Sequence, residues 1–358
     1  MLRAHLERLG LVCPTCRAAG RDAPALVLAH VERADGDEVI EGALHCPEPA
    51  CRREHPILDG VVIALADLGS WITHQLDGTT RRDDLSPWME SLLGDAAGRG
   101  TSFDRERHDL STYAGAHWGD RDVAGPLDDT GAVAPLVAAA LDVLPAAPAG
   151  TWIDLGCALG RASLELAAAG ADLVVGVDLN MTMLRRAERA RRTGRVTWPQ
   201  RRVGLVFDRR EAALEELPRD RVAFVCADVG VLPFADGGFV GGLSLNVLDC
   251  VPSPLQHLLE LGRVLAAGAP AVLTTPYDWA ASATAPEHWF GGHSQRGEIG
   301  GRSETVLRKV LSPGADAGVD TGLVIVDERD RVPWRLRLND RSTMHYAVHL
   351  LRLARTGG

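Results

Sequence analysis

The chain is predicted to be α/β, with a mostly parallel, doubly wound sheet in its middle and a small β module ahead of it. Three observations predict this. Residues 151–180 read TWIDLGCALGRASLELAAAGADLVVGVDLN, which is a strand, a glycine turn, a helix and a second strand. Residues 222–275 continue that rhythm, with apolar runs separated by an amphipathic stretch. Residues 13–51 instead hold two close cysteine pairs flanking short strand-like segments.

In the first unit, residues 152–155 are a short apolar strand. Asp154, Gly156, Ala158 and Gly160 make a tight turn that opens a helix over 163–169. Residues 173–177 are apolar throughout, as a strand buried on both faces is, and Asp178 stands at their carboxyl end. Ligands of such sheets bind at the carboxyl ends of the strands. A dinucleotide fingerprint needs a third glycine at position 161, where the chain has arginine. A carboxylate ahead of the turn repels pyrophosphate and suits a cation. S-adenosylmethionine, with its sulfonium and ammonium, is such a ligand. Asp178, 24 residues beyond Asp154, is placed to accept from both ribose hydroxyls.

Residues 222–226 form a further strand ending in Ala227-Asp228. The Asp228 carboxylate is placed to accept from an adenine amino group, with Leu232-Pro233-Phe234 as an apolar wall. Cys157, Leu179 and Val229 adjoin these positions and complete the predicted cofactor contacts. Residues 241–247 deliver Asn246 and Asp249 to the same sheet edge, followed by a helix over 255–265 and a strand over 271–275. Over roughly residues 130–280 the chain resembles class I S-adenosylmethionine-dependent methyltransferases. The resemblance implies a Rossmann-like fold, a mostly parallel seven-stranded sheet with helices on both faces. It also implies S-adenosylmethionine as methyl donor and S-adenosylhomocysteine as product. Ala158 stands where the usual pattern has its middle glycine, and Val240 where an acid usually follows Phe239.

Composition sets the outer bounds. With 46% hydrophobic and 24% charged residues the chain reads as soluble and globular. No apolar run approaches a membrane span, MLRAHLERLG has no signal-peptide core, and a cytoplasmic enzyme is expected. The net charge of −10 argues against a broad nucleic-acid-binding surface. Of the 38 Lys and Arg residues only Lys309 is a lysine, a compositional bias rather than a functional signal.

Four of the seven cysteines are paired, as Cys13-Pro-Thr-Cys16 and Cys46-Pro-Glu-Pro-Ala-Cys51, which is zinc-ribbon spacing. Four thiolates leave no open position for water, so a bound Zn2+ is structural, making a small module foldable. Residues 26–31 and 39–44 read as antiparallel strands between the pairs. His45 and His55 could replace a cysteine as ligand, but each reads rather as a surface or packing residue. The segment His55-Pro-Ile-Leu-Asp-Gly-Val-Val resembles a pattern of the small zinc-ribbon activator of tRNA and protein methyltransferases. The expected division is a zinc-ribbon-like domain over 1–68, a linker or helical cap over 69–129, and the donor-binding domain over 130–358.

Within 69–129, residues 88–93 read as a short helix, and Tyr113, His117 and Trp118 are candidates to close over the cofactor. Residues 135–144 read as the first core helix. Ten arginines between Arg185 and Arg210 read as a solvated helix followed by a loop. Beyond the core, Thr275-Pro-Tyr-Asp-Trp279 ends a strand and Glu287-His-Trp-Phe-Gly-Gly-His293 follows. Residues 323–326 and 334–338 are expected to pair as the terminal hairpin, with His345 and His349 near it. The Pro-Tyr-x-Trp, Trp-x-Gly-Gly and terminal Arg341-Ser-Thr-Met-His-Tyr346 elements loosely resemble the thiol-histidine N-methyltransferase module of ovothiol biosynthesis. Tyr113, Tyr277, Asp278, His293 and His345 are candidates to orient or deprotonate an acceptor, and Asn246 to position it.

The leading expectation is methylation of a small molecule or peptide, on an amine or imidazole, in a biosynthetic pathway. The alternatives are an rRNA or tRNA methyltransferase that uses the ribbon and arginines, and a non-catalytic module that activates a partner. No membrane partner is expected, and the sequence leaves the oligomeric state open.

Overall fold

The computed structural model describes residues 1–67, 98–125, 131–144, 149–297, 299–312 and 319–357. The helix expected over 88–93 lies outside them. The N-terminal part contains α1 (Arg3–Leu9), α2 (Pro14–Ala18), β1 (Val27–Asp35), β2 (Glu38–His45), β3 (Glu54–Leu58) and β4 (Val61–Ile63). Next come α3 (Ser102–Trp118) and α4 (Val133–Val143). The core continues through β5 (Thr151–Leu155), α5 (Arg161–Ala168), β6 (Leu173–Asp178) and α6 (Met181–Thr193). A hairpin, β7 (Arg195–Val203) and β8 (Val206–Ala213), precedes β9 (Val222–Cys226), β10 (Gly241–Leu245) and α7 (Pro254–Val264). The chain closes through β11 (Pro270–Thr275), α8 (Ser303–Val310), β12 (Leu323–Asn339) and β13 (Ser342–Arg355).

One sheet of 11 strands runs β1-β2-β3-β4-β9-β6-β5-β10-β11-β13-β12. The strands β4, β9, β6, β5, β10 and β11 are mutually parallel, and β13 and β12 run antiparallel beyond them. Strand alternation splits the interior into two layers. Trp152, Val174, Phe224, Leu243 and Leu350 face α3 to α6 on one side. Ile153, Val175, Val225, Leu273 and Leu351 face α1, α7 and α8 on the other. The fold is the Rossmann-like methyltransferase fold that the sequence led us to expect.

The N-terminal strands join this sheet rather than forming one of their own. Val62 pairs with Val225 and Ile63 with Cys226. The Ala64 N–H donates to Cys226 O at 2.8 Å and the Val12 N–H to Pro233 O at 2.8 Å. Arg17 Nη1 donates to Phe234 O at 3.0 Å.

Two expectations are corrected. Residues 323–326 and 334–338 do not pair with each other. Both lie on β12, and β13 is the partner. Pro333 does not interrupt β12, because β12 is the sheet's last strand, where proline is tolerated. The reversal comes instead between Asn339 and Ser342. The arginine run is a helix followed by a hairpin rather than a loop. Several of its arginines are turned inward: Arg191 is buried and paired with Glu188 and Glu38, and Arg186 Nη1 donates to Thr197 O. Among the described residues no helix is long and apolar enough to cross a membrane.

Candidate active site

A cleft of about 510 Å³ opens at the carboxyl ends of β5, β6, β9, β10 and β11, beside α3. Its floor is the turn after β5. The Gly156 and Cys157 N–H groups donate to Val177 O at 2.7 and 3.0 Å, folding the turn back onto β6. Gly156, Ala158 and Gly160 all have positive φ (73°, 46° and 76°). A Cβ on Gly156 would lie 2.2 Å from Val247 Cγ2, and one on Gly160 2.5 Å from the Phe224 ring. Glycine is therefore required at both positions by space as well as by backbone. Gly156→Ala is expected to lower stability by about 2–4 kcal/mol, combining overpacking with a left-handed alanine; a thermal melt against wild type checks it.

Asp178 is held open for a ligand. Ala158 N–H donates to Oδ2 at 2.9 Å and Asn180 N–H to Oδ1 at 2.8 Å. The Leu179 backbone also bonds this carboxylate, which lines the cleft. Asp154 is buried, with the Ser163 hydroxyl donating to it at 2.6 Å. Burial pushes its carboxyl up to about 7, against the pull of the Ser163 hydrogen bond, and burial also raises Asp178. Asp228 accepts from the Gly230 N–H at 2.8 Å. Cys157, Leu179 and Val229 line the same cleft, and of the predicted cofactor positions only Gly160, packed against Phe224, does not line it. Asn246 sits at φ 58°, accepting from the Thr274 hydroxyl at 2.8 Å.

The three candidates on α3 divide. Tyr113 faces the cleft, its hydroxyl pushed up to about 12 chiefly by burial. His117 touches the cleft wall, but its Nδ1 accepts from the Arg161 N–H at 3.3 Å, and burial lowers it to about 3. Trp118 is fully buried beneath the Arg161 guanidinium, which is paired with Asp120 and Glu165. His117 and Trp118 thus brace α3 against α5.

Among the acceptor candidates, Tyr277 does not line the cleft. Its hydroxyl meets His349 Nδ1 at 2.7 Å, and His349 Nε2 meets Glu328 at 3.1 Å. His293 is also outside, its ring 3.2 Å from Gly291 O. The paired glycines serve packing: a Cβ on Gly292 would lie 3.2 Å from the Trp279 ring, which stacks on Trp289. His345 is an exposed strand residue opposite Arg335 and does not line the cleft. Strand parity is the reason, since Tyr346, next to it, is the residue that lines the cleft. Asp278, a sequence candidate, does line the cleft, together with Asp249, Trp334 and Tyr346, to which the sequence assigned no chemical role. The sequence signals for Trp334 and Tyr346 are the pair of aromatics near the chain's last strands and, for Tyr346, the terminal Arg341-to-Tyr346 element.

In the N-terminal part, Cys13, Cys16, Cys46 and Cys51 have their sulfurs within 4.8 Å of one another. Cys13 and Cys51 are 3.7 Å apart, and Cys16 and Cys46 3.8 Å. Four sulfurs about 2.3 Å from a tetrahedral zinc are about 3.8 Å apart, so the donor set fits that ion. His55 is fully buried, with Nε2 3.9 Å from Cys13 Sγ, a neighbour to the cluster.

Residues 153–273 match the family model described as a methyltransferase domain. The core of this chain has the class I methyltransferase fold. The tRNA U34 carboxymethyltransferase of Alcanivorax borkumensis is 35% identical over 123 residues, 34% of this chain and 31% of that protein. The 24-methylenesterol C-methyltransferase 2 of Oryza sativa subsp. japonica is 26% identical over 209 residues, 55% of this chain and 49% of that one. The chain spans between about a third and a half of the length of these curated relatives. A solved SAM-dependent methyltransferase from Methanosarcina mazei aligns at 21% identity with a TM-score of 0.38, covering 58% of this chain and 93% of that one.

Proposed function

We propose that this chain methylates a small molecule or peptide, on an amine or imidazole nitrogen in a biosynthetic pathway, with S-adenosylmethionine as donor. The observation that carries this reading is the glycine turn held between Asp154 and Asp178 at the floor of the cleft. Asp154 would face the donor's cationic amino-acid end, Asp178 its ribose hydroxyls and Asp228 its adenine amino group. When bound, S-adenosylmethionine supplies a methyl group already activated on a sulfonium. What the protein adds is alignment and exclusion of water. The acceptor nitrogen must be neutral to react, so its proton leaves before or during transfer. Tyr113 and Asn246 line the cleft, and in this reading they would orient the acceptor. We further infer that the four-cysteine cluster holds one structural Zn2+.

Calorimetry tests the donor assignment. Wild type is expected to bind S-adenosylmethionine and S-adenosylhomocysteine. Asp178→Ala should bind both at least about tenfold more weakly, since hydrogen bonds to a charged group contribute about 1.5–3 kcal/mol. Unchanged binding by that variant would remove the assignment.

A further inference from the structure

We propose that the acceptor half of the cleft recognises a positively charged group on the methyl acceptor, held by Asp278 beside the Trp334–Tyr346 aromatic pair. This rests on the methyltransferase reading of the same cleft. The first support is charge. Six aspartates line the cleft, among them Asp109, Asp249 and Asp278 besides the three assigned to the donor. No lysine or arginine is among the described lining residues, and the one histidine, His117, is held neutral. A sulfonium, an ammonium and a carboxylate give the donor a net charge of only about +1. Burial raises the Asp109 and Asp249 carboxyls, so the charge offered to the acceptor is chiefly that of the exposed Asp278.

The second support is geometry. Asp249 is buried at 2% exposure and organises this corner. It accepts from the Thr275 hydroxyl at 3.3 Å and from the Asp278 N–H at 2.8 Å. That fixes Asp278 at the cleft's edge, where its Oδ2 accepts from the Tyr346 hydroxyl at 3.0 Å. Its other oxygen is left for a ligand. The Tyr346 and Trp334 rings stack at 5.2 Å, and both line the cleft with Tyr113. An anchored carboxylate beside aromatic faces is the arrangement that binds an organic cation, by charge and by the ring quadrupole together. A phosphate or an isolated carboxylate would meet only like charge there.

The test is calorimetry on the full chain saturated with S-adenosylhomocysteine, using two probes of similar shape and opposite charge, tryptamine and indole-3-propionate. Tryptamine is expected to bind saturably, and indole-3-propionate at least about tenfold more weakly. Asp278→Asn should weaken tryptamine by about tenfold or more, as expected for a lost bond to a charged group, and keep its affinity for S-adenosylhomocysteine. Tyr346→Phe, which frees the Asp278 carboxylate while keeping the ring, should show a smaller loss. Equal binding of the two probes, no binding of tryptamine, or wild-type tryptamine affinity in Asp278→Asn overturns the proposal. Failure of the wild-type chain to bind S-adenosylhomocysteine overturns the methyltransferase reading instead.

Discussion

Stripping the proposed Zn2+ from the four-cysteine cluster is expected to loosen the cysteine-bearing loops and to weaken donor binding at a site remote from the cysteines. The apolar cluster around the cysteines is small: Cys13, Cys16 and Cys46 themselves, with Ala23, Leu26 and Cys51 against them. So small a cluster does not hold the two cysteine loops together unaided, although Leu9, Val39, Leu44 and Ile57 pack into the main core. Zinc bound by four thiolates contributes on the order of 10 kcal/mol in comparable small modules. The consequence reaches the cleft through the sheet. Strand β4 covers one edge of β9, and Asp228 follows the end of β9 at Cys226 by two residues. The backbone of Val12 and the side chain of Arg17 hold Pro233 and Phe234 from the other end of that segment. As the cysteine loops loosen, the segment carrying Asp228 loses its anchors through Val12 and Arg17, and the cover that β4 gives the edge of β9 weakens. Chelation, or Cys16→Ser, should therefore raise hydrogen exchange across residues 222–234 and reduce S-adenosylmethionine affinity, with one zinc per chain lost by elemental analysis. A metal-free protein with wild-type melting temperature and donor affinity would sink the idea.

The contrast between the two halves of the cleft is physical. The donor half is local. Asp154, Gly156, Gly160 and Asp178 lie within one strand–turn–helix–strand unit, where positive φ, helix start and strand end all leave marks on neighbouring residue types. The acceptor half is assembled from Asp249, Asp278, Trp334 and Tyr346, brought together only by the pairing of β11 with β13 and of β13 with β12. Which face a residue occupies there depends on register, and a shift of one residue exchanges the faces. That is why His345 was a reasonable candidate by residue type and Tyr346, one position on, is the residue that lines the cleft. The joining of β4 to β9 has the same character, since 163 residues separate Val62 from its partner Val225.

Ligand-free stability and donor affinity should respond to pH in opposite directions, and Asp154 is the reason. Burial raises its carboxyl to about 7, from an ordinary value of 3.8. The folded chain thus holds this proton more tightly than the unfolded chain does. The resulting stabilisation is complete below about pH 4 and is lost as pH rises through about 7. The gap corresponds to about 4 kcal/mol of cost for keeping an ionised Asp154 in the empty cleft. A cationic donor reverses the preference, because it binds the carboxylate and not the acid. Its affinity should therefore climb by up to about tenfold per pH unit below about 7 and level off above, with one proton released on binding at the acidic end. Asp154→Asn keeps an acceptor for the Ser163 hydroxyl and removes the titration. Relative to it, wild type should lose melting temperature between about pH 5 and pH 8.5 while gaining donor affinity. Proton release is read by calorimetry in two buffers of different ionisation enthalpy. A wild-type stability profile parallel to that of Asp154→Asn, with donor affinity flat over the same range, would mean that the carboxylate is already ionised in the empty cleft and that burial there is weaker than its surroundings imply.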